Sequence, residues 1–385
     1  MFKFNVKKSH KAIILFYMKV IYISYVMNIH QAPLCDEIFK IIGDDFIFLS
    51  TSPSIDDSNK KIIKRNYVVL STNLNSEDLE KLFRTADCIV AGHCSDLRLI
   101  KFFTDDKLII HNGEHLFKKF KDPISFLKCI KNAIIFKRKY KFTKPYVLAN
   151  SHYLKKDLDL ILFKYEKVFN FGYFPPTNKS YKLAVDSTKK NNIIFIGRYI
   201  KWKKPGSLIP CLEYINENNN CYTLEFYGDG PYKEQLIRRV KASRFRSKIS
   251  VNHALDHEEV LKHFLNSEIF IFSSNHEEGW GSVLNEALSC GCIVFANKNA
   301  GSTLSLIKDY ENGFLYNNSR ELKQKIKYYL SLSKEKKIEI RKKAFETISK
   351  VWNEKVAAER FVSFLKNYKT WNGNEYKSGP MSVAQ

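Results

Sequence analysis

The sequence predicts an α/β protein made of two doubly wound, parallel-sheet domains in tandem. Three observations lead there. Short apolar runs alternate with amphipathic helical patterns along most of the chain, the order that places helices on both faces of a parallel sheet. The alternation breaks once, in a polar stretch that follows Pro175-Pro176 and ends near Lys190, and then begins again. The 385 residues divide naturally into two domains of about 150–200 residues, each long enough to bury its own core.

Residues 1–17 read as an N-terminal extension, with the first domain starting near Met18. Residues 12–29 are largely apolar and follow Lys7, Lys8 and Lys11, as a signal or anchor would. Lys19 interrupts the run, no small-residue cleavage site follows, and Tyr17, Tyr22 and Tyr25 populate it. Residues 20–26 are β-branched and aromatic, the composition of a buried strand. Further strands are expected at 46–49, 67–70, 88–91, 108–110 and 146–149, with a helix over 76–83 capped by Ser76. This first domain runs over 18–180, and residues 181–190 form a linker. The second domain, 191–345, repeats the pattern with strands at 193–196, 223–227, 249–251, 269–272 and 292–295. Helices are expected at 282–289 and 321–332 and across 334–368. The last helical part, 346–370, is expected to return to the first domain, and residues 371–385 to form a disordered tail.

Lys and Arg number 63 against 40 Asp and Glu, a formal net charge of +23, while 44% of residues are hydrophobic. That hydrophobic content excludes intrinsic disorder, and the charge demands an anionic partner. The cysteines at 35, 88, 94, 129, 211, 221, 290 and 292 are irregularly spaced and include no C-x-x-C, which argues against a zinc site or disulfide framework and fits a reducing cytoplasm. The charge is concentrated. Residues 118–144 hold ten basic side chains and one acid, Asp122, interleaved with Phe117, Phe120, Phe126, Ile130, Ile134, Tyr140 and Phe142. Such a stretch suits an anionic membrane surface. Its plainer reading is a solvated lysine face over an ordinary core stripe. No nucleic-acid-binding motif accompanies it.

The strongest chemical signal spans residues 274–291. A buried strand leads into a loop containing Glu278, Gly279, Trp280 and Gly281, then into a helix opened by Ser282 and Val283 and carrying Glu286. Ligands of α/β proteins sit at the carboxyl ends of strands, glycines let backbone approach them closely, and free N–H groups at a helix start attract anions. Two further loops follow strands in the same half: Gly197-Arg198 with Lys203, and Gly228-Asp229-Gly230-Pro231. Either alone reads as a surface turn.

Together, in this order, the segments resemble the signature of retaining GT-B glycosyltransferases of family 4 (group 1), of the bacterial capsular and lipopolysaccharide type, over roughly residues 18–345. The resemblance implies two Rossmann-like domains facing a central cleft. It implies that Glu278 meets the donor-sugar hydroxyls, Glu286 the nucleotide ribose, the backbone around Gly281–Val283 the diphosphate, and Arg198 and Lys203 the diphosphate charge. Gly197, Gly228, Gly230, Gly279, Trp280 and Ser282 complete the nucleotide-sugar site; the family usually has Phe at the position of Trp280. In the first half, segments 27–36, 107–118 and 171–176 carry the resemblance and put His30, His111, Glu114 and His115 on the acceptor side, with Glu114 joining Glu278, Arg198 and Lys203 as catalytic. The chain lacks the Gly-Gly many relatives place after the first strand, and has Glu114-His115 where the group often has Glu-Arg.

The implied reaction moves a sugar, with retention, from a UDP- or GDP-linked donor to a saccharide or lipid-linked acceptor in surface polysaccharide assembly, at the inner face of the cytoplasmic membrane. Fixed cations aimed at the departing diphosphate lower the barrier to an oxocarbenium-like state. No cofactor and no metal are expected. The only D-x-D string, Asp157 and Asp159, falls on a helix, where residues two apart point away from each other. The rival readings are a nucleotide-sugar epimerase of the same fold and a non-catalytic membrane- or RNA-binding protein on a transferase scaffold.

Overall fold

The computed structural model describes residues 18–52, 63–93, 96–118, 123–218 and 220–385; the expected extension 1–17 lies outside them, as do positions 119–122 of the basic stretch. The first domain runs β1 (Val20–Ser24), α1 (Ala32–Ile42), β2 (Phe46–Ser50), β3 (Val68–Leu70), α2 (Ser76–Arg84), β4 (Cys88–Ala91), β5 (Leu108–Gly113), α3 (Pro123–Lys139), β6 (Tyr146–Ala149), α4 (Leu154–Leu160) and β7 (Val168–Asn170). The strands form one parallel sheet in the order β3-β2-β1-β4-β5-β6-β7. Its central strands are covered on both faces, which is why they read as unbroken apolar runs rather than alternating ones. The cap of α2 is Asn75, one residue before the expected Ser76: its side chain accepts from the Asp78 amide.

The second domain runs β8 (Lys190–Ile196), α5 (Ile209–Glu217), β9 (Thr223–Tyr227), α6 (Lys233–Ala242), β10 (Ile249–Asn252), α7 (His257–Asn266), β11 (Ser267–Phe272), α8 (Val283–Ser289), β12 (Ile293–Asn297), α9 (Thr303–Leu306), β13 (Phe314–Tyr316), α10 (Ser319–Leu330), α11 (Lys334–Glu346) and α12 (Glu354–Asn367). Its parallel sheet has the order β10-β9-β8-β11-β12-β13. Strand order reverses between β1 and β4 in the first sheet and between β8 and β11 in the second. The loops leaving such a pair diverge to opposite sides of the sheet and open a crevice at its carboxyl edge. Arg198 and Lys203 leave β8, and Glu278 leaves β11.

One apolar cluster crosses the domain boundary, joining Phe171 and Phe174 of the first domain to Trp280, Leu284 and Trp352. α12 packs on α1, so the chain ends against the domain in which it began. Residues 181–190, expected as a linker, are anchored: Ala184 and Val185 are buried beside Phe345, and β8 already starts at Lys190.

The expectation of a disordered tail is overturned. Residues 381–384 lie antiparallel beside β7: the Asn170 amide donates to the Ser382 carbonyl (2.8 Å), the Met381 amide to Asn170 (2.9 Å) and the Ala384 amide to Val168 (2.9 Å). Met381 is fully buried, and Arg360 holds the approach through the Ser378 and Pro380 carbonyls. Its Gly, Ser and Asn content looks disordered, but it supplies partners to an edge strand that would otherwise be open. Burying Met381 contributes about 1.5–3 kcal/mol. Deleting residues 378–385 is therefore expected to lower the thermal midpoint and to speed hydrogen exchange at the Asn170 amide; unchanged protection there contradicts a docked tail.

Candidate functional site

The loop after β8 and the loop after β9 are locked together by close backbone approach. At Gly228 (φ +155°) a Cβ would lie 2.0 Å from the Gly197 carbonyl oxygen, so only glycine fits. The Tyr199 amide donates to the Asp229 carbonyl at 2.7 Å. The loop after β11 is tied to the same assembly: the Asn275 amide donates to the Trp202 carbonyl (2.9 Å) and the Ser273 hydroxyl to the Lys203 carbonyl (2.6 Å).

This scaffold brings Lys203 Nζ to 2.6 Å from Glu278 Oε2, each side chain only 13% exposed. The Ser274 hydroxyl donates to the same oxygen at 2.8 Å. Burial by itself would raise the Glu278 carboxyl; the Lys203 ammonium, the Ser274 hydroxyl and, more distantly, Lys118 outweigh it and hold it below its ordinary value. Arg198 lies on the same loop but apart from this pair, exposed, its guanidinium stacked on the Trp202 ring at 5.8 Å.

Glu286, on the first turns of α8, is buried and faces His257 at the start of α7, with Oε1 3.4 Å from Nδ1. The other imidazole nitrogen, Nε2, donates to the Pro176 carbonyl at 2.9 Å, which fixes the ring. Burial pushes the Glu286 carboxyl up, with His257 opposing. Burial alone would lower His257, and the Glu286 contact reverses that. Both shifts favour one proton held between the two groups. His257 was not among the sequence candidates: it reads as the first residue after a capping Asp256, which it also is.

From the first domain, Glu114 follows β5 and reaches the boundary. It pairs with Lys118 and accepts from the Tyr173 hydroxyl at 3.0 Å. A Cβ on Gly279 would meet the Glu114 carboxylate at 1.8 Å, so Gly279 is one of the points at which the two domains touch. The boundary thus carries two ion pairs, Lys118–Glu114 from the first domain and Lys203–Glu278 from the second, brought together where Glu114 meets Gly279. The His30 ring stacks with Tyr173 at 6.4 Å, on the same side.

Three candidates have other surroundings than expected. His111 is not at the cleft: it is buried under α3, its Nδ1 2.8 Å from the Tyr140 hydroxyl and its ring edge-on to Phe136, and burial pushes it down to about 3. His115 is buried as an interdomain brace. Its Nε2 donates to the His276 carbonyl at 2.7 Å, which leaves Nδ1 to accept from the Ser151 hydroxyl at 2.8 Å, and burial pushes it down to about 3. Both ring nitrogens are occupied, so it has none to offer an acceptor. The Trp280 indole is buried beside Gly172 and Trp352, with Nε1 donating to Asn285 Oδ1 at 2.9 Å, and lies in the interdomain core rather than in an open pocket.

Among the described residues no group of three or more His, Cys, Asp or Glu side chains is placed to hold a metal. Asp157 accepts from the Leu116 and Phe117 amides, whereas Asp159 pairs with Lys155.

Breaking a buried ion pair from one side costs about 3–5 kcal/mol, and Lys203→Met is expected to do so. Because the Glu278 carboxyl is held below its ordinary value of 4.5, the pair's stabilisation is complete above that value and is lost as pH falls through the folded one. The stability gap between wild type and Lys203→Met should accordingly be full at neutral pH and shrink on acidification. A gap independent of pH between neutrality and 3 would contradict it.

Residues 181–347 match the family model described as glycosyl transferases group 1. A 2-deoxystreptamine N-acetyl-D-glucosaminyltransferase of Niallia circulans is 22% identical over 120 residues, 31% of this chain and 31% of that enzyme. HepE of Anabaena, solved with UDP, superposes with a TM-score of 0.64 at 17% identity, covering 91% of this chain and 100% of that one. The lipopolysaccharide outer core galactosyltransferase WaaB, in its apo form, gives 0.61 at 15% identity over 91% and 100%. The described residues thus have the two-domain GT-B fold, and the second domain matches the group 1 glycosyl transferases in sequence.

Proposed function

We infer that the protein is a retaining glycosyltransferase that moves a hexosyl group from a nucleoside-diphosphate sugar, UDP- or GDP-linked, to a saccharide acceptor. The observation that carries this reading is the Lys203–Glu278 pair at the switch point of the second sheet, with Arg198 exposed on the same loop. A cation and a carboxylate side by side are what a charged leaving group and an adjacent polyhydroxyl sugar require. Arg198 and Lys203 face the diphosphate, and Glu278 accepts from the sugar hydroxyls. Glu286, kept supplied with a proton partner by His257, meets the ribose. The bond from the anomeric carbon to phosphate oxygen breaks as the acceptor oxygen adds on the same face, and the acceptor proton passes to the leaving phosphate. No metal enters this scheme, since the cations are side chains. Glu114, beside Gly279, and His30 complete the acceptor side.

The acceptor is proposed to be lipid-linked, in surface polysaccharide or lipopolysaccharide synthesis at the inner face of the cytoplasmic membrane. Support comes from α3. Cys129, Ala133, Phe136 and Tyr140 face the core. On the opposite side Leu127, Ile130, Ile134 and Ile135 are exposed among Lys128, Lys131, Lys137 and Arg138. A helix apolar on both faces and basic between them suits a partner that is itself apolar and anionic. Among the described residues no helix is long and apolar enough to cross a membrane, and the contact proposed here is a peripheral one through α3. No disulfide joins the described cysteines, in keeping with a reducing compartment.

A thermal-shift screen of nucleotide sugars is expected to find a stabilising donor, and sugar transfer from it to a saccharide acceptor should follow. Losing one hydrogen bond to a charged group costs about 1.5–3 kcal/mol. Glu286→Ala should therefore bind the donor about 10–100-fold more weakly. Epimerisation of the free donor without transfer, or unaltered binding by Glu286→Ala, would overturn the reading.

A further inference from the structure

A second basic site lies at the opposite end of the first domain, away from the cleft. A cavity of about 910 Å³ opens between the amino ends of β5 and β6, the end of α3, the loop joining α4 to β7, and Tyr368 after α12. All strands of this sheet are parallel, so the cavity is at their amino edge while the cleft is at their carboxyl edge. We propose that this cavity holds the phosphate-bearing headgroup of an anionic membrane lipid, with Phe142 and Leu162 at its mouth entering the acyl region. The proposal rests on the membrane reading of α3 and gives that contact a specific pocket.

Charge is the first support. Lys137, Lys141, Lys144 and Lys164 line the cavity, are exposed, and have no acidic side chain within 4.0 Å among the described residues. Lys107 is already used by the Ala86 carbonyl (2.8 Å) and Asp106 (3.8 Å). Asp105 and Glu166 also line the cavity, so cations remain in excess. Lysines gathered at one concave site repel one another until an anion joins them.

Two large apolar side chains exposed at the rim are the second support. Leu162 takes φ +52° in the left-handed cap that ends α4, where its own amide donates to the Asp159 carbonyl and the Phe163 amide to the Leu158 carbonyl (3.0 Å each), and it is 84% exposed. Glycine is the residue favoured at such a cap, and here a leucine takes the position at some cost and holds its apolar side chain out to solvent. Phe142, 73% exposed, stands at the same mouth, with Lys141 over its ring. A soluble phosphate would have no use for two large apolar side chains at the rim; a lipid has. The exposed apolar stripe of α3 leads to the same edge.

The test uses vesicles of phosphatidylcholine with or without phosphatidic acid, the full-length protein, and flotation as the readout. Wild type is expected to bind only the anionic vesicles. Lys144→Glu/Lys164→Glu should weaken that binding at least tenfold while leaving the thermal midpoint and sugar transfer to a soluble acceptor unchanged. Leu162→Gly should weaken binding while keeping or raising the midpoint, because glycine relieves the strain. If Ile134→Asp abolishes binding but the double lysine variant binds as wild type does, α3 docks without the cavity and the proposal fails. If wild type binds no anionic vesicle, the membrane reading itself fails. If glycerol 3-phosphate alone stabilises wild type but not the double variant, and vesicles do not bind, the ligand is a soluble phosphate and the lipid is excluded.

Discussion

A lysine and a glutamate taken out of water together, Lys203 and Glu278, set the terms for the structure around them. Two charges withdrawn from solvent are tolerated only when each is close to the other and its remaining hydrogen-bonding capacity is met. Ser274 meets part of that need for the carboxylate. The loops that carry the two charges are fastened to each other through Asn275, Trp202 and Ser273, and the β8 loop is fixed to the β9 loop at Gly228. The pair is therefore preorganised: the cation and the acceptor oxygen are in place before any ligand arrives, and little reorganisation is left for binding.

The first domain closes this site through small residues rather than through a large polar interface. Gly172 receives the Trp280 ring, Gly279 receives the Glu114 carboxylate, and Gly301 lies against the Ser151 hydroxyl of the first domain. A side chain at any of these would push the sheets apart and open the cleft wall. His115, neutral and bonded on both ring nitrogens, then fixes the spacing between Ser151 and the His276 carbonyl. The shared apolar cluster and the return of α12 to α1 make the two domains one packed body around the cleft.

Much of the fold was legible because strands buried on both faces announce themselves as apolar runs. β7 and β13 were missed although β3, equally short, stood out within the apolar run 67–70, and the docked tail was hidden by turn-forming residues whose role appears only beside the β7 edge. The placement of the donor-side candidates was legible because it is local: Gly197, Arg198, Lys203, Glu278 and Glu286 sit in loops or first turns after strands. Histidines were not. His111 and His115 are four residues apart, yet one lies within β5 under α3 and the other just past its end, between domains. His257 became a partner of Glu286 only through the packing of α7 on α8. Leu162 carries no sequence signal at all; its strain is a property of the turn that ends α4.

The central claim is that the fixed cations of the second domain recognise a diphosphate. Calorimetric titration of UDP and GDP, each against its own nucleoside, tests it directly. Two hydrogen bonds to charged groups at about 1.5–3 kcal/mol each predict that one diphosphate binds at least ~100-fold more tightly than its nucleoside. That advantage should disappear when Arg198 and Lys203 are both replaced by Met. Equal affinity for nucleoside and diphosphate in the wild type, or an advantage that survives the double replacement, would contradict the account.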